Sequence, residues 1–146
     1  MTASDSPAGC PFCAIVAGRL PSSQVYSDDD VVAFLDIRPV TTGHLLVVPR
    51  AHVASLAGLD EHAAARIFIS AQRLAAAVRG SGLPCEGVNL FLADGAVAGQ
   101  EVFHVHLHVL PRTTGDGFKL SPQFRHPDRA ELDANAAQIR AGLPPR

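Results

Sequence analysis

The 146-residue chain is short of several things, and each shortage narrows what it can be. No apolar run approaches the ~20 residues of a bilayer crossing, so no membrane partner is expected. Charge is scarce and balanced: charged residues make up 18% and the formal net charge is −2. That leaves no clustered basic surface of the kind a nucleic-acid duplex binds. The stretch Met1–Gly9 carries neither a basic segment nor an apolar core, so no secretory signal is read there and a cytoplasmic protein is expected. Cysteine is limited to Cys10, Cys13 and Cys85, an odd number. A disulfide framework is therefore not expected, and Cys10-Pro11-Phe12-Cys13 points instead to metal or redox chemistry. Cys85 has no activating charge nearby in sequence and reads as a structural thiol.

What is abundant is apolar: 47% of the residues are hydrophobic, enough to exclude a disordered chain. Residues 1–8 are small and polar and read as a flexible N-terminus, with one domain over 9–146. A short helix is predicted over 12–17, strands near 25–26 and over 31–35, and another over 44–48 stopped by Pro49. Asp28-Asp29-Asp30 reads as a solvated turn. One long helix runs from the cap Asp60 to Arg79, with Ile67, Ala71, Leu74 and Val78 on one face. Strands follow over 87–93 and 101–110, joined by a turn-rich loop, and a last helix occupies about 128–141. Adjacent strands with short turns and inserted helices give an α+β fold, an antiparallel sheet of about five strands.

The feature richest in chemistry is Phe103-His104-Val105-His106-Leu107-His108-Val109-Leu110. On a strand, alternation puts His104, His106 and His108 on one side and Phe103, Val105, Leu107 and Val109 on the other, facing the core. Two uses of such a row compete. Histidines two residues apart can share one metal, as in zinc hydrolases. Alternatively, one imidazole attacks phosphorus while its neighbours orient it and stabilise the developing charge. The loop Asp94-Gly95-Ala96-Val97-Ala98-Gly99, just ahead of the row, can present backbone N–H groups to a phosphate. His62 and His126 read as surface residues.

With Gly99-Gln100 ahead of it, the histidine row resembles the signature of the histidine triad (HIT) family of nucleotide hydrolases and transferases. Cys10-Pro11-Phe12-Cys13-Ala14-Ile15-Val16-Ala17-Gly18 is similar to the family's N-terminal segment. Ala33-Phe34-Leu35-Asp36-Ile37-Arg38-Pro39, the stretch from Gly43-His44 to His52, and Gly99 to Arg112 follow in the family's order. The resemblance implies a nucleophile at His106 that attacks the α-phosphorus of a purine nucleotide substrate and forms a nucleotidyl-histidine intermediate. It implies phosphate contacts from His108 and His44, Gln100 near the scissile bond, Asp36 on the ribose, and Phe12, Phe34 and Ile37 around the base. It further implies a structural zinc on Cys10, Cys13, His52 and His104, as in the family's zinc-containing subset. A homodimer is implied too, joining two sheets into one of about ten strands.

Two positions depart from the family pattern. Ala93 stands where an Asn or Gln is usual, and Glu101 where a Ser or Thr is usual. A carboxylate at 101 repels a phosphate unless it is protonated, turned outward or paired with a cation. These departures sustain a second reading, a nucleotide- or partner-binding module with vestigial catalysis. A catalytic zinc on His106 and His108 is a third.

Overall fold

The computed structural model describes residues 7–146, so the expected flexible segment falls, for residues 1–6, outside the described residues. One antiparallel sheet runs in the order β1-β2-β3-β5-β4. Its strands are β1 (Gln24–Ser27), β2 (Val31–Leu35), β3 (Leu45–Pro49), β4 (Gly87–Phe91) and β5 (Leu107–Arg112). Helix α1 (Pro11–Val16) precedes the sheet, α2 (Glu61–Arg79) crosses from β3 to β4, and α3 (Arg129–Ala141) ends the chain. No helix of the described residues is long and apolar enough to cross a membrane.

Strand alternation sorts the sheet into two faces. Val31 and Ala33, Leu45 and Val47, and Leu107 and Val109 point one way, onto Ile67, Ala71, Leu74 and Val78 of α2. Val32 and Phe34, with Leu46 and Val48, point the other way, onto Phe12 of α1. The second face also carries the even-numbered residues of β5, so the chemistry lies on the side opposite the long helix. Helix α2 is tied down at both ends. Asp60 accepts the Ala63 N–H at 2.7 Å, and Gly80 donates to the Ala76 carbonyl. Asp60→Ala is expected to cost about 1 kcal/mol, read as a fall of about 3 °C in the thermal midpoint.

The Asp28-Asp29-Asp30 turn is less solvated than its composition suggests. The Asp28 carboxylate accepts from Tyr26 Oη, from the N–H groups of Asp30 and Val31, and from Arg66 of α2. Burial opposes its ionisation, but these four donors hold it well below the usual carboxylate range. The turn thereby fastens the β1–β2 hairpin to α2. His62, read as a surface residue, meets Asp30 at 3.1 Å on the same patch.

The histidine strand is the main correction to the sequence reading. It was expected over 101–110, but β5 begins at Leu107 and runs through Pro111 to Arg112. The β3–β5 ladder pairs Leu45 with Val109, Leu46 with His108 and Val47 with Leu107, and no further. Beyond that, the Pro49 carbonyl takes the ring N–H of His104 at 2.8 Å, and the Val105 N–H turns to Val53 O at 2.7 Å. A side chain thus replaces the ladder, and Phe103, expected inside, is half exposed. At the other end β3 has ended opposite Val109, so the missing N–H of Pro111 breaks no pair on that side.

Candidate active site and metal centre

Pairing across the sheet puts Phe34 opposite Leu46, Leu46 opposite His108, and His108 opposite Phe91. These four side chains form one row over β2, β3, β5 and β4, on the face away from α2, and all line a cleft of about 740 Å³. Its walls also include Phe12, Asp36, His44, Gly99, Glu101 and His106. The sequence-derived residues His44, His106, His108, Asp36, Phe12, Phe34, Ile37 and Gly99 all meet here. Ile37 stands at the rim, almost wholly exposed, whereas Phe12 and Phe34 are buried beneath it.

Hydrogen bonds assign a tautomer to each histidine in turn. His106 Nδ1 lies 2.7 Å from the His104 carbonyl, which can only accept, so Nδ1 carries the proton and Nε2 keeps its lone pair. The Val40 N–H donates to His44 Nδ1 at 3.1 Å, which leaves the proton on His44 Nε2. That nitrogen donates to His108 Nδ1 at 2.8 Å, so His108 holds its own proton on Nε2. A backbone amide at Val40 therefore sets the donor presented by His108, two imidazoles away. Burial pushes His108 down to about 4, aided by His106 and His44 and opposed by Asp36. Burial also lowers His44, against the pull of Asp36. Both rings are neutral near pH 7 and keep these roles. Phe12 stands edge-on to His106 at 5.0 Å and limits its rotation.

Asp36 lies beside the first histidine, its Oδ2 3.7 Å from His44 Nε2 and its Oδ1 accepting the Arg38 N–H at 2.8 Å. Asp36, His44 and His108 are close enough to suggest a metal cluster. The 2.8 Å between the two ring nitrogens argues otherwise, because two imidazoles on one tetrahedral ion stand about 3.4 Å apart. That contact is a hydrogen bond with a proton in it. His108 accepts the His44 proton on Nδ1 and carries its own on Nε2, so it has no lone pair left for an ion, and the pairing of His106 and His108 through a catalytic zinc has no support in the geometry.

Gln100 departs from its expected place. It is buried, its Oε1 accepts the Gly95 N–H, and its Nε2 donates to Ala54 O and Val102 O. The side chain closes the loop before the histidines and does not line the cleft. Gly99 does reach the cleft, in a left-handed conformation (φ +97°) suited to glycine, but its N–H is bonded to Ala96 O. The amides of Gly95, Ala98, Gly99 and Gln100 are thus used within the loop, against the expectation that it offers its backbone to phosphate. Sequence reading gave no role to Arg38, Phe91, Phe118 and Leu120, which also line the cleft. Only Arg38 had a signal, its place in the Asp36–Pro39 turn.

A second cluster sits behind His106. Cys10, Cys13, His52 and His104 bring their ligand atoms within 4.8 Å of one another. His52 Nδ1 and His104 Nδ1 are 3.3 Å apart, and the three sulfur–nitrogen contacts span 3.3, 3.5 and 3.6 Å. A tetrahedral ion with the usual zinc bond lengths separates nitrogens by about 3.4 Å and nitrogen from sulfur by about 3.6 Å. His104 donates from Nε2 to Pro49 O, which turns an unprotonated Nδ1 toward the cluster. These four residues could together hold a metal ion.

The HIT domain model matches residues 17–115. The chain belongs to the HIT family. An uncharacterized HIT-like protein of Borreliella burgdorferi is 46% identical over 110 residues, covering 75% of this chain and 79% of that protein. The crystal structure of a HIT family member from Bacillus subtilis superposes with a TM-score of 0.87 at 35% identity, covering 94% and 99% of the two chains. A zinc-bound histidine triad family protein from Mycobacterium smegmatis gives a TM-score of 0.74 at 42% identity, covering 92% and 98%. The two departures of this HIT chain now have surroundings. Ala93 is buried and offers the cleft no amide. Glu101 lies on the cleft wall paired with Arg38 at 3.0 Å, so its charge is met by a cation.

Proposed function

We propose that this HIT protein is a hydrolase of purine nucleotides, acting at the α-phosphate through a covalent intermediate on His106. Its substrate would be a phosphoramidate, an adenylate or a dinucleoside polyphosphate. The observation that carries the reading is the bond from His106 Nδ1 to the His104 carbonyl, which leaves Nε2 as a bare nucleophile toward the cleft. The family is one of nucleotide hydrolases and transferases, which supports the reaction class.

In the first step His106 Nε2 forms a bond to phosphorus as the bond to the leaving group breaks. The leaving group takes up a proton from solvent. The ring becomes a phosphorylated cation whose Nδ1–H is held by the His104 carbonyl. The His108 Nε2–H stabilises the charge on the phosphoryl oxygens as it builds. Water then attacks phosphorus, the P–N bond breaks, the proton returns to solvent and the monophosphate leaves. Asp36 would accept from the ribose hydroxyls, Phe12 and Phe34 with Ile37 at the rim would enclose the base, and Gly99 would let the backbone approach. Gln100 would shape the loop rather than touch the scissile bond.

The four-residue cluster is read as a structural zinc site on Cys10, Cys13, His52 and His104. It would tie α1 to the segment that carries His106, and its donor set matches what zinc prefers. The chain is further read as one HIT-like domain over 9–146 that works as a cytoplasmic homodimer. Helix α3 buries none of its residues, and Phe68 and Ile69 of α2 are exposed, which supports a covered surface. A binding module with vestigial catalysis is favoured by one observation, that neither Ala93 nor Gln100 offers an amide to the cleft.

The deciding experiment is intact-protein mass spectrometry after a brief acid quench with adenosine 5′-phosphoramidate. The wild type should gain one adenylyl group and His106→Ala none. Neither adduct nor monophosphate from the wild type would turn the reading to the binding module.

A further inference from the structure

A second cavity, of about 370 Å³, shares Pro11, Glu101 and Val102 with the cleft but is lined by neither His106 nor His108. Its wall contains Cys10 and His52, beside the half-exposed ring of Phe103. The four cluster residues therefore differ in access. Cys13 and His104 are 3% and 0% exposed, whereas Cys10 and His52 are half-buried. A small reagent in this cavity meets the Cys10 sulfur before that of Cys13.

The two cysteines also share one helical turn. Cys10 is the N-cap of α1 and Cys13 its third residue, with the Ala14 N–H donating to the Cys10 carbonyl at 3.1 Å. The Cys13 N–H donates to Cys10 Sγ at 3.3 Å, and the two sulfurs lie within 4.8 Å. Side chains three residues apart on a helix are neighbours, so rotation about the side-chain bonds can join these sulfurs without moving the backbone. Cys85 provides the contrast. It packs on the α2 side of the sheet, where its thiol donates to the Gly87 carbonyl at 3.3 Å, while Cys10 packs on the opposite face.

From this pair, its unequal access and the cavity beside it we propose that Cys10 and Cys13 are an oxidation site for small hydroperoxides. They close to a disulfide that dismantles the metal cluster. The proposal rests on the structural-zinc reading above. The Cys10 thiolate attacks one peroxide oxygen, the O–O bond breaks, and the departing hydroxide takes a proton from solvent. This leaves a sulfenic acid on Cys10. The Cys13 thiolate attacks that sulfur, and a second hydroxide leaves and is protonated by solvent. Two thiolates, one hydrogen peroxide and two protons thus become one disulfide and two waters. Disulfide sulfurs are no longer the thiolates a metal needs, so only His52 and His104 remain as ligands and the ion is released.

The test treats the zinc protein with hydrogen peroxide, after its zinc content has been measured. Released zinc is followed with a metallochromic indicator, and the cysteines by alkylation and peptide mass. The peptide holding Cys10 and Cys13 should become about 2 Da lighter and closed to alkylation as the zinc appears. Oxidation of this pair should run at least about tenfold faster than that of Cys85, and a thiol reductant with added Zn²⁺ should reverse it. Cys13→Ser should stop at a sulfenic acid on Cys10, captured by dimedone, and Cys85→Ser should behave as the wild type. Zinc retained with Cys10 and Cys13 still alkylated, or Cys85 oxidised as fast as the pair, overturns the inference. A protein isolated without zinc that still closes the disulfide overturns the metal reading and upholds the oxidation site.

Discussion

Replacing His106 by alanine is expected to lower kcat/KM for adenosine phosphoramidate by about four orders of magnitude. The size follows from what is removed. In the wild type the bond from Nδ1 to the His104 carbonyl turns Nε2 toward the cleft, and Phe12 restrains the ring. Without it water has to attack directly, with only the remaining donors to help. Losing one of those donors, as in His108→Ala, should cost less, about two to three orders of magnitude, because it removes charge stabilisation but leaves the covalent route open. Monophosphate affinity, followed by calorimetry, should change only a few-fold in His106→Ala, since Asp36, Phe12 and Phe34 remain. A loss of less than tenfold in kcat/KM would show that His106 is not the nucleophile.

The second large effect is expected from the metal. Dialysis against a chelator should lower the thermal midpoint by about 10 °C or more, and activity should fall as a consequence of lost fold rather than ahead of it. Without an ion, two cysteine sulfurs and two imidazole nitrogens within 4.8 Å of one another are left to their mutual contacts. The core of the sheet should nevertheless persist, since α2 packs on the other face. Cys13→Ser should reproduce the effect, and added Zn²⁺ should restore only the wild type. A chelated protein with an unchanged midpoint and no turnover would instead indicate a catalytic ion.

Acid should act in the same direction. Burial pushes His104 and His108 from 6.5 down to about 4, and lowers His44 as well. Below pH 6.5 the unfolded chain binds protons that these folded rings refuse, so stability is lost as pH falls from 6.5 toward about 4. Protonating His104 also removes a metal ligand, which steepens the loss.

Much of this was legible in the residues themselves. The length and caps of α2 follow from Asp60, Gly80 and a helical apolar period, and β2 was readable to the residue because five apolar positions are bounded by polar turns. The histidine row and the Cys10–Cys13 pair were legible as local patterns, whereas His52, His44 and Asp36 were picked out only through the resemblance to the HIT family. The start of β5 was not. Alternation alone continues the strand back through Phe103, but the His104 ring takes the Pro49 carbonyl and ends the ladder, a contact between residues 55 apart in sequence.

The sequence by itself determined which residues are present for chemistry and which faces of the helix and strands are apolar, because propensity, capping and periodicity act over a few neighbours. Tertiary structure alone decided the rest. It turned Gln100 into the loop, set Glu101 against Arg38, fixed the proton on each histidine through Val40 and the His104 carbonyl, and lined the β4 end of the cleft with Phe91 and Phe118. Each of those outcomes depends on a hydrogen-bond partner or a strand register supplied by a distant segment, and no local pattern carries that information.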